Sequence, residues 1–178
     1  RCQRLESLVL TEVDTFRQGF RQSPLTPFSN GSFLEASYTS VSQPGELWSF
    51  KFDFNFYTDG AAHPGLNHRT LNYDLAQGRE LALGDLFRPN SNYLEVIAKY
   101  CILKLSEQPF FDGAFTTGAD PTAENYRNWN IAADGVLITF ETYQVAPGAA
   151  GPQQVLVPYG ELTSLLDPQG PLGFSLTP

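Results

Sequence analysis

The feature that most constrains the fold is an alternation of aromatic and polar residues in the first third of the chain. Phenylalanine occupies every second position of this segment: Phe50, Phe52, Phe54 and Phe56. Lys51, Asp53 and Asn55 stand between them. A period of two places the rings on one face of a β-strand and the polar groups on the other. We therefore predict a strand over 46–58 whose aromatic face must be covered by another element.

Two segments have the apolar period of an amphipathic helix. In the first, predicted over 3–21, the apolar stripe consists of Leu5, Leu8, Val9, Val13, Phe16 and Phe20. In the second, predicted over 92–107, it consists of Leu94, Ile97, Ala98, Cys101 and Leu105. These helices are the natural cover for the aromatic strand.

The remaining pattern indicates hairpins. We predict further strands at 33–41, 70–75, 127–132, 135–142 and 153–158, a loop at 59–67 and a helical turn at 162–166. Hairpin connections outnumber strand–helix–strand units, which favours an antiparallel sheet. The predicted fold class is α+β, an antiparallel sheet packed by two long amphipathic helices.

The charge balance excludes some partners. The chain has 11 Lys and Arg against 19 Asp and Glu, a net charge of −8. Nucleic-acid binding needs clustered basic residues, so we exclude it, and anionic membrane surfaces are disfavoured for the same reason. A cationic protein would be attracted, although an acidic surface also serves solubility alone. No apolar run has the length of a transmembrane helix, so we predict no direct membrane insertion by this chain.

The strong catalytic and cofactor motifs are absent. The sequence has no P-loop, no Rossmann glycine fingerprint, no His-Glu-x-x-His and no paired Cys-x-x-Cys, so we predict no cofactor and no metal. The histidines are His63 and His68. A cell-wall or ester hydrolase centred on His63 is an alternative, but the sequence has no nucleophile elbow. We favour a structural or binding role for His63.

The two cysteines, Cys2 and Cys101, stand on the two predicted helices. We predict a disulfide between them, which in the chain-entropy model stabilises the fold by roughly 4–5 kcal/mol. The chain begins Arg1-Cys2-Gln3 and has no Met. We therefore expect a processed or excised chain from which any targeting segment has been removed.

Four blocks of the sequence resemble one bacterial extracytoplasmic domain family. They are Tyr57-Thr58-Asp59-Gly60-Ala61-Ala62-His63, then Asn72-Tyr73-Asp74-Leu75 with Leu83-x-Asp85-Leu86-Phe87, then Phe140-x-x-Tyr143-x-Val145-Ala146-Pro147, and Val157-Pro158-Tyr159. The family is that of the C-terminal, lysozyme-receptor domain of the anti-sigma-V factor. Related copies occur in secreted antigens and beside peptidoglycan deacetylase domains. The first block departs from the family pattern, because Asp59 replaces a glycine and an extra alanine precedes His63.

The resemblance implies a domain organisation. Residues 1–56 are similar to the companion domain that precedes this module, residues 57–167 to the module itself, and 168–178 form a peripheral tail. It also implies a location outside the cytoplasm, in the periplasm, secreted or as an anchored ectodomain.

The implied function is a non-catalytic binding module for cell-wall glycan or for a cell-wall-directed protein such as lysozyme. The residues expected to contact such a partner lie in or beside the loops 59–67 and 146–151: Asp59, His63, Asn67, Tyr143 and Tyr159. An accessory subunit of an envelope or membrane complex is a further alternative.

Overall fold

The computed structural model describes residues 2–22, 31–42, 45–111 and 116–173. The chain divides into two compact units. Unit 1 consists of Arg1–Tyr38 and Phe52–Asn67, and unit 2 of Thr39–Lys51 and His68–Pro178. The domain boundary predicted at residue 56 rests on the resemblance to two neighbouring family domains. The division into compact units does not test it.

The described part of the chain contains helices and antiparallel strands, as the predicted α+β class requires. The helices are α1 (Cys2–Gln22), α2 (Tyr93–Ser106) and a single turn, α3 (Tyr159–Leu162). The strands are β1 (Phe33–Ser42), β2 (Leu47–Tyr57), β3 (Gly65–Asp74), β4 (Arg79–Glu80), β5 (Trp129–Ile131), β6 (Gly135–Phe140) and β7 (Gln153–Pro158). They form two sheets where the sequence indicated one, in the orders β1-β2-β3-β4 and β5-β6-β7.

In unit 1, α1 has the face that its period predicts. The side chains of its apolar stripe are half-buried: Leu5, Leu8, Val9, Val13 and Phe16. The aromatic face of β2 is also inside, since Phe54 is 1% exposed and Phe52 6%. Phe16 of α1 and Phe54 line a common cavity of about 290 Å³ within this unit. Burial of these rings is the dominant stabilising contribution here.

The strand β3 begins at Gly65, five residues before the predicted start at 70. A Cβ added at Gly65 would overlap the ring of Phe56, so glycine lets the two strands approach closely. At its other end β3 turns into β4 through Gly78, whose φ is +67°. The backbone N–H of Gln77 donates to Asp74 Oδ1 at 2.9 Å and closes this turn, which the sequence predicted.

In unit 2, the three-stranded sheet and α2 enclose the main apolar core. Antiparallel pairing sets Trp129 opposite Ile138 and Val136 opposite Val157. The inward face of α2 is the predicted one, and its fully buried members are Ile97, Ala98, Cys101 and Leu105. The core also contains Phe87, Ile131, Phe140, Leu162 and Leu166.

One residue of the predicted tail 168–178, Leu172, belongs to this core. Leu172 is fully buried. The backbone N–H of Asp167 donates to the carbonyl of Leu86 at 3.0 Å, and Leu166 forms a bridge with Phe87. Leu172 stands among Pro and Gly residues that have neither the helical nor the strand period, so no local pattern indicated its burial. For this reason we predicted a peripheral tail.

Candidate functional site

The predicted binding residues of unit 1 occupy a turn and a strand. Asp59 lies in the turn after β2, where its backbone N–H donates to Ser32 Oγ at 2.9 Å. His63 is exposed, and its Nδ1 lies 2.9 Å from the carbonyl oxygen of the adjacent Pro64. Asn67 lies in β3, not in a loop, and lines the cavity beside Phe54. A general base works from a cleft in contact with the group it deprotonates, and the surroundings of His63 do not have that form.

The predicted binding residues of unit 2 differ in exposure. Tyr143 is 60% exposed and has φ = 70°, a left-handed conformation that is rare for an aromatic residue. Its ring lies against Gly148, where an added Cβ would overlap the ring atoms. The loop 146–151 therefore holds the ring in one orientation while leaving it accessible. Strained positions of this kind persist where the surrounding structure over-determines them.

Tyr159 has a structural contact instead. It is half-buried, and its hydroxyl donates to the carbonyl of Ala132 at 2.8 Å. Burial raises the pKa of Tyr159 to about 12, with a smaller contribution from Asp134. The hydroxyl stays protonated at neutral pH and ties α3 to the end of β5. Its expected contact with a ligand stays a prediction.

A polar cluster in unit 2 was not predicted. His68 is 2% exposed, and its Nδ1 lies 2.8 Å from Glu141 Oε2. Because an ionised carboxylate only accepts, Nδ1 carries the proton of this bond. Glu141 Oε1 accepts from the backbone N–H of His68 at 3.1 Å and from the Asn128 amide at 2.8 Å. Burial acts to raise the pKa of Glu141, but these hydrogen bonds from His68 outweigh it and the pKa is lowered.

A second buried network joins three strands of unit 2. Ser49 Oγ donates to Asn72 Oδ1 at 2.6 Å and accepts from the Asn130 amide at 2.9 Å. Asn72 Nδ2 donates to the carbonyl of Trp129 at 2.8 Å, and the backbone N–H of Ile131 donates to Ser49 Oγ at 3.0 Å. Ser49 and Asn130 are fully buried. These side chains bind one another and the backbone, so we interpret the network as structural.

Neither network has the composition of a hydrolase site or a metal centre. In the described ranges, no group of three or more His, Cys, Asp or Glu side chains is arranged to hold a metal ion. The His68 ring is engaged by a carboxylate, but the cluster has no hydroxyl or thiol nucleophile among the contacts above. Among the helices with described residues, none is long and apolar enough to cross a membrane.

The predicted disulfide is not supported. Cys101 is a free thiol, fully buried on the core face of α2. Burial raises its pKa to about 12, so the thiol stays protonated and is a poor nucleophile for disulfide exchange. The side chain of Cys2 lies outside the described residues. Cys101 belongs to the apolar stripe of α2, so its sulfur points into the apolar core of unit 2.

Comparison with known proteins identifies a domain in the second half of the chain. Residues 84–160 match the family model described as "Protein of unknown function (DUF3298)". This segment holds α2, the three-stranded sheet, Glu141 and Tyr143. It lies inside the range 57–167 over which the sequence resembled a bacterial domain family.

Curated relatives agree with the kinds of protein implied by that resemblance. The chain is 30% identical over 113 residues to the peptidoglycan-N-acetylmuramic acid deacetylase PdaC of Bacillus subtilis, covering 62% of this chain and 24% of that protein. It is 29% identical over 107 residues to the immunogenic protein MPT64 of Mycobacterium tuberculosis, covering 60% and 47%. The chain thus spans about a quarter of the length of the first relative and about half of the length of the second. A specific relation to the anti-sigma-V factor stays a prediction.

Solved structures show the same fold. A member of the DUF3298 family from Bacteroides fragilis superposes with a TM-score of 0.67 at 18% identity, covering 94% of this chain and 66% of that one. A DUF3298 family protein from Pseudomonas aeruginosa superposes with a TM-score of 0.59 at 19% identity, covering 86% and 68%. The architecture of this chain is therefore that of experimentally determined DUF3298 proteins.

Proposed function

We propose that this chain is a non-catalytic, extracytoplasmic module that binds cell-wall glycan. The observation that carries the proposal is Tyr143, an exposed aromatic ring that the left-handed backbone and Gly148 hold in one orientation. A fixed aromatic face gives apolar contact area to a ligand at low cost in conformational entropy. Sugars present such a contact through the C–H groups of their rings.

The surroundings of Tyr143 favour binding over catalysis. Residues 147–151 of the loop are half-buried or exposed and, apart from Pro147, are all Gly or Ala, which leaves room for a ligand beside the ring. The nearby acid, Glu141, has its carboxylate committed to His68 and Asn128. The similarity to a peptidoglycan-N-acetylmuramic acid deacetylase supports a cell-wall ligand and a location outside the cytoplasm.

Cosedimentation with purified insoluble peptidoglycan tests the proposal. We expect wild-type protein to sediment with the glycan and Tyr143→Ala to lose roughly tenfold in affinity, the effect of removing an aromatic hot spot. Gly148→Ala should weaken binding to a similar degree, because the added Cβ displaces the ring without removing it.

Tyr38→Ala is the matched control, since Tyr38 is 68% exposed but belongs to unit 1. Its affinity should equal that of the wild type. Equal loss in the Tyr38 and Tyr143 variants, or none in either, would remove Tyr143 from the binding surface. Failure of the wild type to sediment at low salt would contradict the glycan function itself.

A cationic protein partner such as lysozyme is the second candidate, favoured by the net charge of −8. Binding to such a partner would rest on long-range electrostatic attraction and would weaken steeply with salt. Capture of lysozyme on immobilised protein at low and at high salt tests it. Capture that salt does not weaken would exclude the electrostatic basis of this candidate.

A further inference from the structure

Unit 2 contains a cavity of about 310 Å³ whose lining does not include Tyr143. It lies among β3, β4, the short helix Leu83–Leu86, the start of α2 and the residues before β5. Its lining includes Thr70, Glu80, Tyr93, Arg127 and Trp129. The volume is at the small end of the range for ligand sites, which suits one sugar ring better than a chain of them.

The apolar part of the lining is rigid. The ring of Tyr93 is stacked on Phe87, with ring centroids 4.5 Å apart and planes 5° from parallel. Trp129 is 5% exposed and lies within the core of unit 2. Both side chains are therefore fixed before a ligand arrives, so binding does not have to order them.

The polar part of the lining offers hydrogen-bond donors. Thr70 Oγ1 accepts from the backbone N–H of Trp129 at 3.1 Å, which leaves its own hydroxyl hydrogen to donate. Tyr93 also lines the cavity, and its hydroxyl is a hydrogen-bond donor. Half-buried groups of this kind, converging on one cavity, are typical of a ligand site.

Arg127 supplies the positive charge. Its Nη1 donates to Glu124 Oε1 at 2.8 Å and to the carbonyl of Glu124 at 3.2 Å. The Nε–H and Nη2–H groups make no hydrogen bond to a residue that the structure describes, and together they form the fork that matches a carboxylate. The Arg127 and Glu124 side chains are 42% and 78% exposed, so this pair adds little stability and does not hold the guanidinium away from a ligand.

From these contacts we infer that the cavity binds one carboxylate-bearing monosaccharide unit. The carboxylate pairs with Arg127, and the donors from Thr70 and Tyr93 bind acceptor oxygens of the sugar. Glu80 at the cavity accepts from sugar hydroxyls, and the apolar ring face packs against Tyr93 and Trp129. That the ligand is a sugar, and not another small carboxylate, rests on the proposed glycan function.

The probes are N-acetylmuramic acid and N-acetylglucosamine, which differ by a lactyl ether that carries a carboxylate. Each is titrated into the ¹⁵N-labelled full chain, and the backbone amide shifts are followed. We expect N-acetylmuramic acid to shift the amides of 81–84 and 127–129 saturably, and N-acetylglucosamine to bind roughly tenfold more weakly because it lacks the charged hydrogen bonds.

Two substitutions assign the contacts. Arg127→Gln should reduce the affinity for N-acetylmuramic acid to that for N-acetylglucosamine. Arg88→Gln, at an exposed arginine outside the cavity, should leave both affinities unchanged.

Tyr93→Phe keeps the ring on Phe87 and removes the hydroxyl, so it should weaken the binding of both sugars several-fold. Tyr100→Phe on the same helix is its control.

The outcomes separate this inference from the proposed function. If peptidoglycan sediments the protein but neither sugar shifts these amides, the cavity assignment is wrong and the proposed function stands. Equal affinity of the wild type for the two sugars, or an Arg127→Gln variant that keeps the preference, also overturns the assignment. Saturable binding of N-acetylmuramic acid at these amides without peptidoglycan cosedimentation supports the cavity and contradicts the proposed function.

Discussion

The surroundings of the two histidines, His63 in unit 1 and His68 in unit 2, differ in nearly every respect. His63 is exposed on a turn and contacts the carbonyl of its own neighbour. His68 is 2% exposed, and Glu141 accepts from both its ring and its backbone. His63 lies in a family motif but makes only a local contact, whereas His68 lies in no motif and is held by a buried carboxylate 73 residues away. The comparison teaches that the local sequence around a histidine does not determine its hydrogen-bond partners.

The largest effect that tests this comparison is removal of the carboxylate. Glu141→Ala leaves the His68 ring, the His68 backbone N–H and the Asn128 amide without their acceptor inside the protein. We expect a loss of about 2–4 kcal/mol in the free energy of unfolding, measured by urea denaturation.

The control for that measurement is Glu107→Ala, which breaks an exposed pair with Lys104. Its free energy of unfolding should equal that of the wild type within the error of the measurement, because an exposed ion pair contributes little. If both substitutions cost the same, the buried cluster does not stabilise the fold and the contrast between the two histidines loses its energetic basis.

The second effect is a pH dependence carried by Glu141. Its pKa is lowered in the folded protein from the ordinary value of 4.5. The stabilisation is therefore fully present above pH 4.5 and is lost as the pH falls through the lower folded pKa. In urea denaturation between pH 3 and 7, the wild type should lose its advantage over Glu141→Gln towards the acidic end. A difference between the two proteins that does not vary with pH would contradict this assignment.

The smallest effect is expected at the other histidine. His63→Ala should change the free energy of unfolding by less than about 0.5 kcal/mol, because an exposed side chain on a turn makes few contacts to lose. Thermal denaturation of this variant beside His68→Ala measures the contrast directly. If His63→Ala is destabilised as strongly as His68→Ala, then His63 makes a stabilising contact in the turn and the contrast is wrong.

The parts of the fold that follow from the sequence are those set by local periodicity. The alternation at Phe52 and Phe54 and the helical stripe of Ile97 and Cys101 each predicted a buried face that the structure confirms. Local patterns do not determine how strands group into sheets, and the division into two sheets was accordingly missed.

The candidate site was predictable only in part, for a related reason. Tyr143 was singled out by a motif, but its left-handed backbone and its contact with Gly148 depend on the folded loop. The partners His68 and Glu141 are 73 residues apart, and Thr70 and Trp129 are 59 apart. Polar residues at alternate positions of β3 were the available signal, because a strand with a buried polar face must find hydrogen-bond partners elsewhere in the chain.

The central claim is that the chain binds cell-wall glycan and leaves it chemically unchanged. Its most direct test is calorimetric titration of the wild-type protein with soluble peptidoglycan fragments, followed by mass spectrometry of the recovered fragments. We predict saturable heat and fragment masses identical to those added. No saturable heat at low salt, or fragments that have been shortened or deacetylated, would contradict the account.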